Sequence, residues 1–236
     1  MAETSQDDAI GVRDMRDRVV IVTGAGKGLG RAYALDLAAR GASVVVNNRW
    51  ADRDQPSSAQ AVVAEIRAQG GRAVANLDPA ENPETGEALV AQAQAEFGRL
   101  DAVVSNAGVP ETLRLHRQTS EGFRRVFDIN FFGAFHLVHA AWPVLSAAPA
   151  GRIVVSASSA GLHGGDGMAA YASSKAALIG LVRGLAVEGQ PVAIENGQIG
   201  AAVRRAMSAD PRESYSDAHQ AFAAFMDGRP ALAVAN

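Results

Sequence analysis

Short β-branched segments alternate with longer alanine-rich segments along most of the chain. The short segments are apolar at nearly every position and polar only at their ends, which is typical of strands buried on both faces of a parallel sheet. The longer segments have helical patterns, and each is long enough to connect two parallel strands. This alternation predicts an α/β fold, a single domain built on a doubly wound parallel sheet with helices on both faces. The predicted strands are 19–22, 43–46, 72–75, 102–104 and 152–155, and the predicted helices lie near 29–40, 58–69, 83–97, 120–146 and 172–188.

The beginning of the chain lacks this pattern. Residues 1–16 are polar, acidic and without periodicity, so we expect a flexible N-terminal extension followed by one domain over 17–236. A net charge of −3 without a basic run argues against a nucleic acid or an anionic membrane as a partner. The absence of cysteine excludes disulfides, thiol catalysis and cysteine-based zinc sites. Since the sequence has neither an apolar run of membrane-spanning length nor a secretory leader pattern, we expect a cytoplasmic protein.

A glycine-rich segment follows the first predicted strand, at the point where that strand turns into its helix. Small residues at such a turn let the backbone approach a pyrophosphate, and the helix N-terminus supplies amide donors and a favourable dipole. The glycine spacing is Gly-x-x-x-Gly-x-Gly, which differs from the common dinucleotide fingerprint and from the P-loop. We expect a dinucleotide to contact Thr23, Gly24, Gly26, Lys27, Gly28, Leu29 and Gly30. A glycine-rich turn that binds no ligand is the alternative.

Tyr171 and Lys175 are four residues apart and therefore lie on one face of a predicted helix. An ammonium beside a phenol stabilises the phenolate, so this pair can exchange a proton with a substrate oxygen near neutral pH. Ser158 and Ser159 follow the fifth predicted strand. Together with the glycine-rich turn, these residues predict a redox site.

These motifs resemble those of the short-chain dehydrogenase/reductase family over about residues 17–207. The resemblance implies a Rossmann-type fold. Further segments resemble the branch that contains the (3R)-hydroxyacyl-CoA dehydrogenases of multifunctional β-oxidation enzymes, namely Asp17-Arg18-Val19, Arg31-Ala32-Tyr33-Ala34 and Val44-Val45-Val46-Asn47. The motifs shared with the whole family are Thr23-Gly24-x-x-x-Gly28-x-Gly30, Asn106-Ala107-Gly108, Asn130, Ser158 and Tyr171-x-x-x-Lys175.

The resemblance implies a role for each member of a catalytic set of four residues. Tyr171 would take or give the alcohol proton, and Ser158 would polarise the carbonyl oxygen. Lys175 would stabilise the phenolate and hold the nicotinamide ribose, and Asn130 would anchor a water that connects Lys175 to solvent. Ser159 competes with Ser158, which we prefer because its separation from Tyr171 fits the family. The implied activity is hydride transfer between NAD(P) and a secondary alcohol or ketone, with a hydrophobic or acyl substrate.

The end of the second strand bears on the choice between NAD and NADP. An Asp or Glu there would accept hydrogen bonds from the adenosine ribose and repel a 2′-phosphate. This chain has Asn48 and Arg49 instead, with Lys27 in the glycine-rich turn, so two cations could face a phosphate. NADP is therefore the preferred cofactor and NAD the alternative, because both cations could also point into solvent. The resemblance adds Asp78 at the adenine, where a plain loop carboxylate is the alternative, and places Asn106, Ala107 and Gly108 on the adenosine side.

The long predicted helix over 120–146 resembles the dimer-forming helix of the family, which implies a homodimer or homotetramer. His136 and His139 lie three residues apart on one face of it. We assign them to packing or surface roles and predict no metal site.

The last part of the chain departs from the family pattern. The segment around 201–230 is expected to border the substrate cleft, and an apolar helical stretch near 216–227 could cover it. Upstream, Ala201 stands where a Pro is usual, and Arg205 stands where a Thr or Ser is common. These departures keep a second function open, a non-catalytic dinucleotide-binding or scaffold protein with a decayed nicotinamide site. A lyase or epimerase reaction with the same cofactor is a third possibility.

Overall fold

The structure is a computed structural model that describes residues 14–50 and 54–189. Within these residues the chain forms one parallel sheet with helices on both faces. The strands are β1 (Val19–Val22), β2 (Ser43–Asn47), β3 (Arg72–Asn76), β4 (Ala102–Ser105) and β5 (Arg152–Val155). Their order in the sheet is β3-β2-β1-β4-β5, and every pair is parallel. The predicted α/β class, the doubly wound sheet and all five predicted strands are confirmed.

The helices connect successive strands as predicted. Helix α3 begins at a proline and ends before Gly98, whose φ of 79° places it in the left-handed region that favours glycine. Ser57 caps α2, where its side chain accepts a hydrogen bond from the Gln60 N–H. The helices are α1 (Gly28–Ala39), α2 (Ser58–Ala68), α3 (Pro83–Phe97), α4 (Ser120–Phe127), α5 (Gly133–Ala147), α6 (Ala160–His163) and α7 (Ala169–Glu188).

The sheet separates two apolar layers. Side chains alternate between the faces of a strand, so Val20 and Val22 of β1 pack in the layer with α1 and α2. Val19 and Ile21 of the same strand pack in the opposite layer, with α3, α5 and α7. Met15 joins the first layer although it lies in the predicted N-terminal extension. Because the strands are buried on both faces of the sheet, their sequences are apolar at nearly every position.

Strand β3 differs from the expectation that every strand is buried on both faces. Arg72 at its start is exposed, and its last three residues are only partly buried. The reason is its position, since β3 pairs with β2 alone and so forms an edge of the described sheet. The Arg72 guanidinium lies over the ring of Phe97, 5.2 Å from its centroid.

The prediction of a single helix over 120–146 is wrong in the middle of this range. A π-helical turn over Asp128–Phe132 separates α4 from α5. A π turn contains one more residue per hydrogen-bonded ring than an α-helix does, and such turns are frequent at functional sites. Asn130 lies in this turn and is buried. The short helix α6 was not predicted from the sequence either.

The strand order creates a crevice at one edge of the sheet. The chain builds β2 and β3 on one side of β1, and then returns to place β4 and β5 on the other side. The segments that follow β1 and β4 therefore diverge at the carboxyl ends of these adjacent strands, where ligands bind in doubly wound sheets. Within residues 14–50 and 54–189, no helix is both long and apolar enough to cross a membrane.

Candidate active site

The glycine-rich turn after β1 has the backbone shape that its sequence predicts. Gly24 has a φ of 63°, and a Cβ built on it would lie 2.7 Å from the Ala107 Cα, too close for any side chain. Gly28, with a φ of 55°, begins α1, and a Cβ built there would meet no atom within 4 Å. The turn is therefore packed tightly against the segment after β4 but open at the helix N-terminus, where a phosphate can approach the backbone.

Thr23 and Asn106 hold the two sides of the crevice together. The Thr23 hydroxyl accepts hydrogen bonds from the N–H groups of Asn106 and Ala107, at 3.1 Å each. In return, the Asn106 side-chain amide donates to the carbonyl oxygens of Thr23 and Gly24, at 3.3 Å each. The structure thus brings together the predicted residues of the glycine-rich turn and of the Asn106 segment.

The end of β2 places Asn48 beside α2. Its Nδ2 donates to the Ser58 hydroxyl at 2.9 Å, so the side chain is turned toward the first residue of that helix. Arg49 is exposed, but its Nη1 lies 3.7 Å from the Glu81 carboxylate, so it is less free than the sequence indicates. Lys27 is exposed as well. Asp78 is also exposed, and its Oδ2 accepts a hydrogen bond from the Asn76 amide.

Asn130 connects three segments through its carboxamide. Its Oδ1 accepts the Val109 N–H at 2.7 Å, and its Nδ2 donates to the Val109 carbonyl and to the Ser174 hydroxyl, at 3.1 Å each. The Ser174 hydroxyl in turn donates to the Tyr171 carbonyl at 2.7 Å. The side chain of the π turn therefore fixes the segment after β4 against the helix that carries Tyr171.

Lys175 lies at the centre of the site, and only 5% of it is exposed. Its Nζ donates to the Ser156 carbonyl at 2.7 Å and lies 5.9 Å from the centroid of the Tyr171 ring. Burial lowers the pKa of Lys175 from 10.5 to about 8. A Cβ built on Gly108 would lie 3.4 Å from Nζ, so the segment after β4 also reaches the lysine. Tyr171 and Lys175 share one face of α7, as predicted.

Ser158 and Ser159 occupy different environments after β5. Ser158 is buried, and its hydroxyl accepts the Ala160 N–H at 3.2 Å, whereas Ser159 is partly exposed and precedes α6. Helix α6 packs directly on α7, because a Cβ on Gly161 would lie 2.8 Å from the Ala176 nitrogen. This contact brings the serine segment to α7 next to Lys175.

Sequence reasoning missed two buried polar residues that contact the site. Ser156 accepts the Lys175 ammonium through its carbonyl, and Ser174 accepts the Asn130 amide. A buried serine within an apolar strand end, or directly before the lysine, is a weak signal on its own because its partners are distant in sequence. Among residues 14–50 and 54–189, no group of acidic and histidine side chains could hold a metal ion, and His136 and His139 belong to no such group.

Comparison with known proteins establishes the family. The family model described as short chain dehydrogenase matches residues 18–212. The chain belongs to the short-chain dehydrogenase family. This confirms the resemblance drawn from the sequence, and the relatives include multifunctional enzymes, in line with the branch resemblance.

Three similar proteins illustrate the match. The chain is 44% identical over 177 residues to the peroxisomal multifunctional enzyme type 2 of Mus musculus, covering 73% of this chain and 24% of that enzyme. It is 39% identical over 173 residues to the cyclohexanol dehydrogenase of an Acinetobacter species, covering 73% and 67%. A crystal structure of a short chain dehydrogenase from Mycobacterium avium superposes with a TM-score of 0.72 at 36% identity, covering 76% of this chain and 67% of that one.

The relatives differ greatly in length. The chain spans 40% of the peroxisomal multifunctional enzyme A of Dictyostelium discoideum and 19% of the peroxisomal hydratase-dehydrogenase-epimerase of Neurospora crassa. Several of the relatives are named as dehydrogenases or reductases, which agrees with the predicted class of activity. The positions that depart from the family pattern, Ala201 and Arg205, lie outside the described residues, and so does the predicted helical stretch near 216–227.

Proposed function

We propose that this protein is an NAD(P)-dependent oxidoreductase that interconverts a secondary alcohol and a ketone. The observation that carries the proposal is the buried Lys175 ammonium beside the Tyr171 ring, at the edge of the sheet where the glycine-rich turn opens. Burying an ammonium costs free energy, and no carboxylate among residues 14–50 and 54–189 forms an ion pair with Lys175. A lysine held in this way favours a chemical role over a structural one.

The chain's own residues supply the proton chemistry. Tyr171 gives a proton to the ketone oxygen in reduction and takes it from the alcohol in oxidation. Ser158 donates a hydrogen bond to that oxygen, and Lys175 stabilises the phenolate that Tyr171 becomes. Asn130 holds the helix of Tyr171 in place through Ser174, and we assign it the proton path from Lys175 to solvent as well.

The residues present fit a nicotinamide dinucleotide. The open backbone at Gly28 admits a pyrophosphate, while Gly24 and Asn106 fix the turn that surrounds it. The remaining contacts are assigned to Gly26, Lys27, Leu29, Gly30, Asn48, Asp78, Ala107 and Gly108, with Lys175 on the nicotinamide ribose. When bound, the nicotinamide accepts or supplies the hydride, and the protein orients it.

NADP is the cofactor that we infer, with NAD as the alternative. The side chain at position 48 is an amide, so nothing on it repels a 2′-phosphate, and the exposed Lys27 lies in the neighbouring turn. Glu81 opposes this preference, because it partly neutralises Arg49 at 3.7 Å. Titration of the protein with NADPH and NADH, followed by nicotinamide fluorescence, measures the preference, and a Lys27→Ala, Arg49→Ala double variant should lose it.

A hydrophobic or acyl carbonyl compound is the proposed substrate class. One relative is named a cyclohexanol dehydrogenase, which acts on a cyclic secondary alcohol. The resemblance to hydroxyacyl-CoA dehydrogenases points to acyl thioesters instead. Turnover of cyclic ketones is compared with turnover of 3-oxoacyl thioesters, each with NADPH and with NADH. The comparison distinguishes the two substrate types.

A homo-oligomer is the proposed assembly. The face of the π turn and α5 exposes Phe132 and Phe135, at 42% and 38%, and Phe132 stacks on His136. Two large aromatic side chains on one helix face form an apolar surface that a second copy can cover. Sedimentation of the wild type against a Phe132→Ser, Phe135→Ser variant tests this assignment. The cytoplasmic location stays a prediction.

The decisive experiment compares Tyr171→Phe with Ser173→Ala, an exposed neighbour on the same helix. Removal of the Tyr171 hydroxyl leaves its ring in place, so cofactor binding should persist while turnover falls by about 100- to 10,000-fold. Ser173→Ala should retain both. Turnover that survives in Tyr171→Phe would overturn the mechanism, and a wild type that binds the cofactor without turnover would favour a dinucleotide-binding scaffold.

A further inference from the structure

Three hydrogen bonds connect the glycine-rich turn to Lys175 across the ends of three strands. The Asn106 amide donates to the Gly24 carbonyl at 3.3 Å, and the Asn106 Oδ1 accepts the Ser156 hydroxyl at 3.1 Å. The Ser156 carbonyl accepts the Lys175 ammonium at 2.7 Å. Ser156 is therefore the residue at which the cofactor side and the catalytic side of this path meet.

Ser156 uses each of its polar groups in a separate contact. Its N–H donates to the Ser105 carbonyl at 2.9 Å and so continues the pairing of β4 with β5. Its hydroxyl and its carbonyl make the two bonds described above, and only 6% of the residue is exposed. These contacts leave the backbone at position 156 little freedom to turn away from Lys175.

The hydroxyl also decides which way the Asn106 carboxamide faces. The Asn106 NH₂ group must point at the carbonyl oxygens of Thr23 and Gly24, because an amide oxygen there would repel them. In that orientation the Asn106 Oδ1 points toward β5, where it needs a donor, and the Ser156 hydroxyl is one. An alanine at position 156 would remove this donor and weaken the preference for the correct orientation.

We propose that Ser156 is a positioning residue that couples the conformation of the dinucleotide-binding turn to the placement of the Lys175 ammonium. The cofactor half of this coupling rests on the proposed function. The lysine half is a property of the protein alone and can be measured without any ligand.

Three variants isolate the hydroxyl of Ser156. Ser156→Ala removes it, and Ser156→Thr retains it as the conservative replacement. Ser43→Ala makes the same chemical change at another buried serine, which begins β2 at the opposite end of the sheet. Thermal unfolding of each variant establishes that the fold is intact.

The small number of lysines in the chain allows the Lys175 side chain to be observed directly. The chain contains only two lysines, Lys27 and Lys175, so ¹³Cε-labelled lysine gives two side-chain signals. Lys27 is exposed and serves as an internal control. Titration of both signals with pH reports the proton affinity of Lys175 in the free protein, and fluorescence titration with NADPH reports the dissociation constant.

In Ser156→Ala we expect the proton affinity of the Lys175 amine to fall about threefold, because its acceptor carbonyl is less well oriented. The dissociation constant for NADPH should rise by a similar factor. Ser156→Thr should restore both values, and Lys27 and Ser43→Ala should show no change.

Two results would overturn the coupling. One is a Lys175 titration in Ser156→Ala that matches Ser43→Ala, and the other is a change in only one of the two measured quantities. A wild type that binds neither NADPH nor NADH would contradict the proposed function instead. The lysine titrations would then still decide whether Ser156 positions Lys175.

Discussion

The buried ammonium of Lys175 makes the stability of the protein depend on pH. Its pKa falls from 10.5 to about 8 on folding because burial penalises the charged form. The unfolded chain therefore binds more protons than the folded chain between these two pH values. Below pH 8 both states are protonated and the folded state bears the whole cost, which is relieved as the pH rises toward 10.5.

Replacement of Lys175 by methionine removes this cost while it keeps a side chain of similar length. A shift from 10.5 to about 8 corresponds to about 3 kcal/mol at pH 7, and less than about 1 kcal/mol remains at pH 10. The substitution also leaves the Ser156 carbonyl without its donor, at a cost of about 1–3 kcal/mol that does not change with pH. The difference in unfolding free energy between Lys175→Met and wild type should therefore drop by about 2 kcal/mol from pH 7 to pH 10.

Urea denaturation of both proteins at several pH values measures this change. Because every other titrating group is common to the two proteins, the difference between them isolates Lys175. A difference that stays constant between pH 7 and pH 10 would refute the assignment of a desolvated lysine. The variant should also lose turnover, so the same residue would raise activity at the expense of stability.

Further predictions follow from particular contacts. Gly24→Ala should lower the free energy of unfolding by more than about 2 kcal/mol and weaken NADPH binding. Gly28→Ala should lower the free energy of unfolding by only about 1 kcal/mol, because its new methyl group meets open space. Thermal unfolding measures both changes. Asp101→Asn should lower the unfolding free energy by about 2 kcal/mol at neutral pH. Burial would raise the pKa of Asp101, but hydrogen bonds from Arg99, the Val19 N–H and Arg18 outweigh it and lower the pKa, so this stabilisation should vanish as the pH falls below the usual carboxyl range. Glu81→Gln should free Arg49 and tighten NADPH binding by up to about fivefold without changing NADH binding.

The sequence predicted the features that depend on local pattern. The β-branched run of β1 and the glycines at 24 and 28 have conformations that neighbouring residues largely determine. The exposure of β3 could not be predicted, because it depends on which strand lies at the edge of the sheet. The role of Ser156 depends on Asn106, a partner fifty residues away in the sequence. The π turn could not be predicted either, since Asn130 within it is held by Val109 and Ser174, which are distant in the sequence.

Because of the π turn, the site depends on the number of residues in this part of the chain. An α-helix rotates by about 100° per residue, so one additional residue changes the direction of every side chain that follows it. Asn130 points inward to Val109 and Ser174, while Phe132 and Phe135 point outward. Deleting a single residue from Asp128–Phe132 would restore a regular helix. Either Asn130 would then still point inward or the two phenylalanines would still point outward, but not both. The length of this segment is thus as much a part of the site as the identity of its side chains.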